Sequence, residues 1–188
     1  MKAYITTALA AALLLAACKK ENTDPDGLVP ATQEGKNTGD FLLNGASFGP
    51  RPRVSAPGNK PVGAFWGHSS RGKGDMQISF SREDDDRKVR LFNLFVANIQ
   101  QTGAYRLKDP ISPFIVPGPQ SGAVYTLPFT TPSYEPRYVT GPTSPGQVII
   151  TRFDTVAHVI SGTFEARLRE YQGADSVAVT KGRFDCSF

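Results

Sequence analysis

From residue 38 onward, apolar side chains recur at every second position in short runs punctuated by Gly, Pro and Asn, the pattern of strands buried on one face. In "DMQISFS" the residues Met76, Ile78 and Phe80 share one side, "REDDDR" supplies a polar turn, and "KVRLFNLFVANI" returns as a long strand. That strand is apolar on both sides near its middle, which predicts a central place in a packed sheet. "GAYRL" follows as another short strand. In "FLLNGASF" the Asn44-Gly45 pair predicts a tight hairpin, because both residues tolerate positive φ. Near the end, "QVIITRFD" is one strand and "HVISGTFEARLR" the next, with Ile160, Gly162, Phe164, Ala166 and Leu168 inward and Ser161, Thr163, Glu165, Arg167 and Arg169 outward. In "SVAVTKGRFDCSF", Val177 and Val179 share one parity while Phe184, Cys186 and Phe188 share the other. One extra residue at Lys181-Gly182, a β-bulge, restores a common inward face. Cys186 then packs as a small hydrophobe beside the phenylalanines. From Lys108 to Gly146 prolines accumulate, which predicts loops and short edge strands, with "AVYTLPF" and "RYVT" as the strand pieces. No helical period follows the first segment. The fold expected over residues 39–188 is all-β: a single antiparallel β-sandwich or partly open β-barrel.

The first residues break this pattern. Lys2 precedes an unbroken apolar run, Ala8 to Ala17, too short for a bilayer span of roughly 20 residues but suited to a secretory leader. Leu15-Ala16-Ala17-Cys18 resembles the lipobox of bacterial lipoproteins, in which the leader is cut before the cysteine and the thiol carries lipid. Residues 1–17 are therefore read as a signal peptide and Cys18 as a lipid-attachment site. Acyl chains anchor at roughly 0.8 kcal/mol per buried CH₂ without a transmembrane helix. Residues 18–38, rich in Lys, Glu, Asp, Asn, Thr, Pro and Gly, are expected to be a flexible tether.

Composition changes this picture little. The chain has 188 residues, 21 Lys and Arg against 17 Asp and Glu, and a formal charge of +4. Loss of Lys2 with the leader leaves about +3, too weak a balance to indicate nucleic acid. There are two cysteines, so lipid on Cys18 leaves Cys186 without an intrachain disulfide partner.

Several stretches together resemble a family of small bacterial lipoproteins whose domain has no established function. They are "PATQEGKNT" at Pro30–Thr38, Asn44-Gly45, "ITRFD" at Ile150–Asp154, "ISGTFE" at Ile160–Glu165 and "GRFD" at Gly182–Asp185. The likeness covers both ends of the mature chain. Phe48 stands where the family often has Trp, and residues 49–145 match at scattered points. The resemblance implies a secreted, anchored β domain and carries no activity with it.

The polar residues offer few chemical constellations. "GHSSRG" approaches a nucleophile elbow, but Arg71 occupies the second glycine position and no helix is expected after it. His68 and His158 lack neighbours at metal-ligand spacing, and a zinc site needs three or four. The run Glu83-Asp84-Asp85-Asp86 lacks the alternation and glycine of a calcium loop, and Arg82 and Arg87 offer local partners, so it reads as a hairpin tip. Residues 51–74 mix Arg51, Arg53, Lys60, Arg71 and Lys73 with Phe65 and Trp66, and read as a long loop pinned to the domain by Trp66. Trp66, Tyr125, Tyr134 and Tyr138 are the candidates for stacking on a ligand such as a sugar ring.

No catalytic residues, metal ligands or cofactor are assigned. The expected role is non-enzymatic: a domain anchored in the bacterial cell envelope, at the outer membrane, that binds an envelope glycan or protein or serves envelope structure. Display would fall to the 49–74 and 108–146 loops. A carrier with a barrel cavity lined by Phe92, Phe95 and Phe164 is one alternative, and a hydrolase using His68 or His158 is another.

Overall fold

The computed structural model describes residues 24–54, 58–69, 72–109, 120–128 and 136–188, with residues 68, 69, 72 and 73 described in backbone alone. Among them lie eleven strands and no helix. These are β1 (Thr38–Leu43), β2 (Ala46–Ser47), β3 (Val62–Ser69), β4 (Gly72–Glu83), β5 (Val89–Val96), β6 (Gly103–Leu107), β7 (Gly122–Thr126), β8 (Arg137–Val139), β9 (Gly146–Asp154), β10 (Val159–Glu170) and β11 (Ser176–Ser187). They form one antiparallel sheet in the order β2-β1-β11-β10-β8-β7-β5-β4-β3. The second edge of β10 is shared by β9 along its first part and by β8 at its end, and β6 continues outward from β9. The sheet curls until β3 faces β11 and β1 without pairing to them, giving an open half-barrel.

The alternating pattern explains this shape. Met76, Ile78 and Phe80 on β4, with Phe92, Leu94 and Val96 on β5, are all buried to 1% exposure or less. β5 lies between β4 and β7, as its two-sided apolar run requires. The interior is packed with phenylalanine. Phe41 stacks on Phe48 at 4.6 Å and meets Phe80, Phe92 and Phe164 at 5.5, 4.7 and 5.7 Å. Phe80 and Phe92 also meet Phe164, at 5.4 and 5.5 Å. These are the offset and edge geometries that aromatic rings prefer. Two glycines make room for them. A Cβ at Gly182 would lie 2.6 Å from the Phe164 ring, and one at Gly162 would lie 2.8 Å from Phe184.

The bulge expected in β11 is present. Phe164 pairs with Gly182 and Ala166 with Val179, while Asp40 and Leu42 of β1 pair with Arg183 and Thr180, so both neighbours register the same extra residue. Lys181 takes φ +53° there. A bulge strengthens local twist and bends the strand, and this one helps roll the sheet. The hairpin at Asn44-Gly45 also forms, with φ of +50° and +85° joining Leu43 to Ala46. Cys186 is buried among the core side chains, and burial raises its thiol pKa to about 12.

Four expectations are corrected. The tether does not run to residue 38: residues 24–37 are fixed against β11, with Leu28 buried. Residues 49–74 are not one loop, because Val62–Ser69 pairs with β4 as an edge strand and Trp66 belongs to it. β7 and β8 are short, as the prolines require, yet they lie inside the sheet between β5 and β10; Pro128 and Pro136 flank them and interrupt neither. Phe95 does not share the interior with Phe92 and Phe164; its odd position on β5 turns it to the other face.

Candidate functional site

Of the residues singled out from sequence, Cys18 and Tyr134 lie outside the described residues. Tyr125 and Tyr138 neighbour each other, with centroids 6.1 Å apart, but expose only 2% and 8%. Their faces are covered by the core, so they offer no platform to a sugar ring. Burial, a hydrogen bond donated to Asp175 and the charges of Asp175 and Glu170 lift the Tyr138 hydroxyl to about 12. Trp66 is half-buried and meets Phe153 and Phe188 edge-on at 5.8 and 5.6 Å, closing the seam between β3 and the β9–β11 region. The structure thus separates the aromatic candidates, joining the two tyrosines in the core and leaving Trp66 at the seam.

Among the described residues no three His, Cys, Asp or Glu side chains converge to hold a metal ion. His158 sits in the turn before β10 with its ring edge-on to Phe188 at 5.7 Å. The acidic run forms the β4–β5 turn, where Asp84 is held by Arg82 at 2.8 Å and Arg90 at 2.9 Å, and Asp86 by Lys88 at 2.6 Å.

A buried carboxylate that the alternating pattern does not reveal sits on β11. Asp185 of β11 accepts hydrogen bonds from Thr32 Oγ1 (2.6 Å), the N–H groups of Glu34 (3.0 Å), Gly35 (2.7 Å) and Lys36 (3.3 Å), and Ser161 Oγ (2.8 Å). Burial alone would raise its pKa; these donors outweigh burial and hold it at about 2. Ser161, expected outward, is 1% exposed because its hydroxyl joins this network. Asn37 Nδ2 donates to Ser187 Oγ at 2.9 Å, and Arg152 donates to the Gln33 carbonyl. "PATQEGKNT" and "GRFD", two of the stretches behind the family resemblance, are therefore the halves of one structural clasp. The available signal was an aspartate among apolar neighbours at the end of a core strand.

The outward side of β6, β9, β10 and β11 carries the accessible relief. One groove of about 580 Å³ is lined by Arg106, Lys108, Gln147, Glu165, Arg167 and Thr180, among others. A second, of about 440 Å³, shares Gln147 and Glu165 with it and continues past Ile149, Lys181, Arg183 and Ala31. Beyond the first, Arg167 and Arg169 line a further hollow with Ser176. The long strands set this order: Arg106 lies opposite Gln147, and Gln147 opposite Glu165. Such a face can hold anions through guanidinium and ammonium groups backed by amide and hydroxyl donors. No protein-family model, curated protein or solved structure matches the chain.

Proposed function

We propose that the protein is a non-enzymatic, lipid-anchored domain of the bacterial cell envelope, held by lipid on Cys18 and of the small-lipoprotein kind its terminal motifs resemble. The observation that carries this reading is how the chain leaves the lipobox. Asp24 reaches Arg183 at 2.6 Å and Asp26 reaches Lys181 at 2.7 Å, so the chain is bound to the β domain from residue 24. Whatever path residues 19–23 take, the chain between Cys18 and Asp24 can span at most roughly 20 Å at about 3.5 Å per residue. A short link after an acyl anchor holds a rigid sheet close to the bilayer and limits which side meets it. The clasp at Asp185 supports the same reading, since it fixes the anchor-side segment at four hydrogen bonds.

The phenylalanine-filled interior directs any recognition to the outer surface. Labelled palmitate tests the anchor in bacterial cells expressing the full chain. Wild-type protein is expected to take up label and fractionate with membranes, and C18A to do neither. Label retained by C18A would overturn the anchored reading.

A further inference from the structure

The side of the sheet where the anchor-side segment docks is also its unpartnered basic side. Lys181 and Arg183 are neutralised there by Asp26 and Asp24. Arg106, Lys108, Arg167 and Arg169 project from the same outward surface, are exposed, and make no ion pair among the described residues. Arg167 makes one hydrogen bond, to Ser176 Oγ at 3.3 Å. Glu165 is the single acid lining these grooves. Amid them Ile149 is 42% exposed, an apolar side chain on a charged surface. Charges in folded domains are commonly interspersed in sign; four unpaired cations around one glutamate are a local excess.

We infer that this face, Arg106, Lys108, Arg167 and Arg169 on the outward side of β6 and β10, docks on the anionic headgroups of the membrane that holds the anchor. Two observations and an energetic argument converge on that partner. The cations lie along one open surface rather than around one enclosed pocket, which suits many headgroups. The segment from Asp24 to Ala31 lies on the same surface, and its covalent reach from Cys18 is too short to swing the domain far away. A basic patch beside such an anchor adds about 1 kcal/mol for each Lys or Arg near an anionic surface, enough to set which side of the domain meets it. Ile149 then meets the acyl boundary between the headgroup contacts. The inference rests on the anchored reading for which membrane is met, but the face itself is testable without lipid on the protein.

The 19–188 chain suits this test, because every buried core residue described lies between Leu28 and Cys186. Co-sedimentation with vesicles of phosphatidylethanolamine and about one-third phosphatidylglycerol, against pure phosphatidylcholine vesicles at low salt, reads the interaction. Binding is expected to the anionic vesicles alone and to weaken as salt rises. R106Q/R167Q is expected to weaken it at least about tenfold, two such charges being removed. The charge-matched R87Q/K88Q, on the β4–β5 turn three strands away, should change it little. Unchanged thermal melting separates lost binding from lost fold. Equal losses in both pairs, equal binding to both vesicle types, or capture by soluble heparin without vesicle binding would each overturn the proposal. Because this chain carries no lipid, its result is independent of palmitate labelling, so either idea can fail alone.

Discussion

Asp185 shows how one side chain sets the stability of a region far larger than itself. Its carboxylate is held by donors from the N-terminal segment, residues 24–37, and from β10, and must stay ionised to accept them all. The pKa is about 2 when folded against the ordinary 3.8, so its contribution is complete above about pH 4 and disappears as pH falls through 2. That difference corresponds to about 2 kcal/mol. D185N places an amide donor against N–H groups and is expected to cost about 2–3 kcal/mol at neutral pH. It should also flatten the acid limb of a urea-denaturation series measured from pH 5 to 2. An unchanged acid limb would show that other carboxylates govern it. Cys186 and Tyr138 act at the other end of the scale. Both are raised to about 12, from ordinary values of 9.0 and 10.0. Stability is therefore held below pH 9 and lost as pH rises through 12, because the unfolded chain ionises these groups first. C186A should move the start of that loss up toward pH 10, and Ellman's reagent should reach Cys186 in urea but not in the native protein.

Among elements, β11 decides most. It pairs with both β1 and β10, carries the bulge that rolls the sheet, and supplies Lys181, Arg183 and Asp185 to the N-terminal segment. Parity in the sequence located the bulge because apolar residues must reach one face on both sides of it. Gly182 at that point has no freedom of size, since its missing Cβ is occupied by the Phe164 ring. G182A is expected to destabilise by about 2 kcal/mol through overpacking. In a double-mutant cycle F164L should recover part of that loss, and strict additivity would show that the ring is not the cause. β3 teaches the reverse lesson. "VGAFWGHS" reads as loop because Gly63 and Gly67 dilute its alternation, yet pairing with β4 makes it a strand. Strand propensity depends on neighbours more than on the residues themselves.

At the scale of the whole molecule, the half-barrel separates two surfaces with different work. The concave side is filled by rings from β1, β4, β5, β10 and β11, and their burial contributes about 1.5–3 kcal/mol for each phenylalanine. The convex side of β6, β9, β10 and β11 stays polar and receives the segment that leads from Cys18. With the basic face on the membrane, orientation is fixed by covalent reach and charge together, and the acidic β4–β5 turn lies on other strands of the sheet than the basic face. Acidic Asp84, Asp85 and Asp86 are then kept off an anionic surface, each in an ion pair with a nearby Arg or Lys.

Local order was written in the chain: the period-two runs, the Asn44-Gly45 turn, the β11 bulge and the buried place of Cys186 all follow from parity and backbone freedom. Those signals are short-range, so they survive reading along a line. Whether Tyr125 and Tyr138 face solvent or core, whether Ser161 is outside or bound to Asp185, and where residues 24–37 lie depended on which strands became neighbours. So did the gathering of Arg106, Lys108, Arg167 and Arg169, which come from β6, the stretch just after it and β10. An alternating pattern gives each side chain a face. Only the curling of the sheet decides which faces close on each other and which remain open to meet something else.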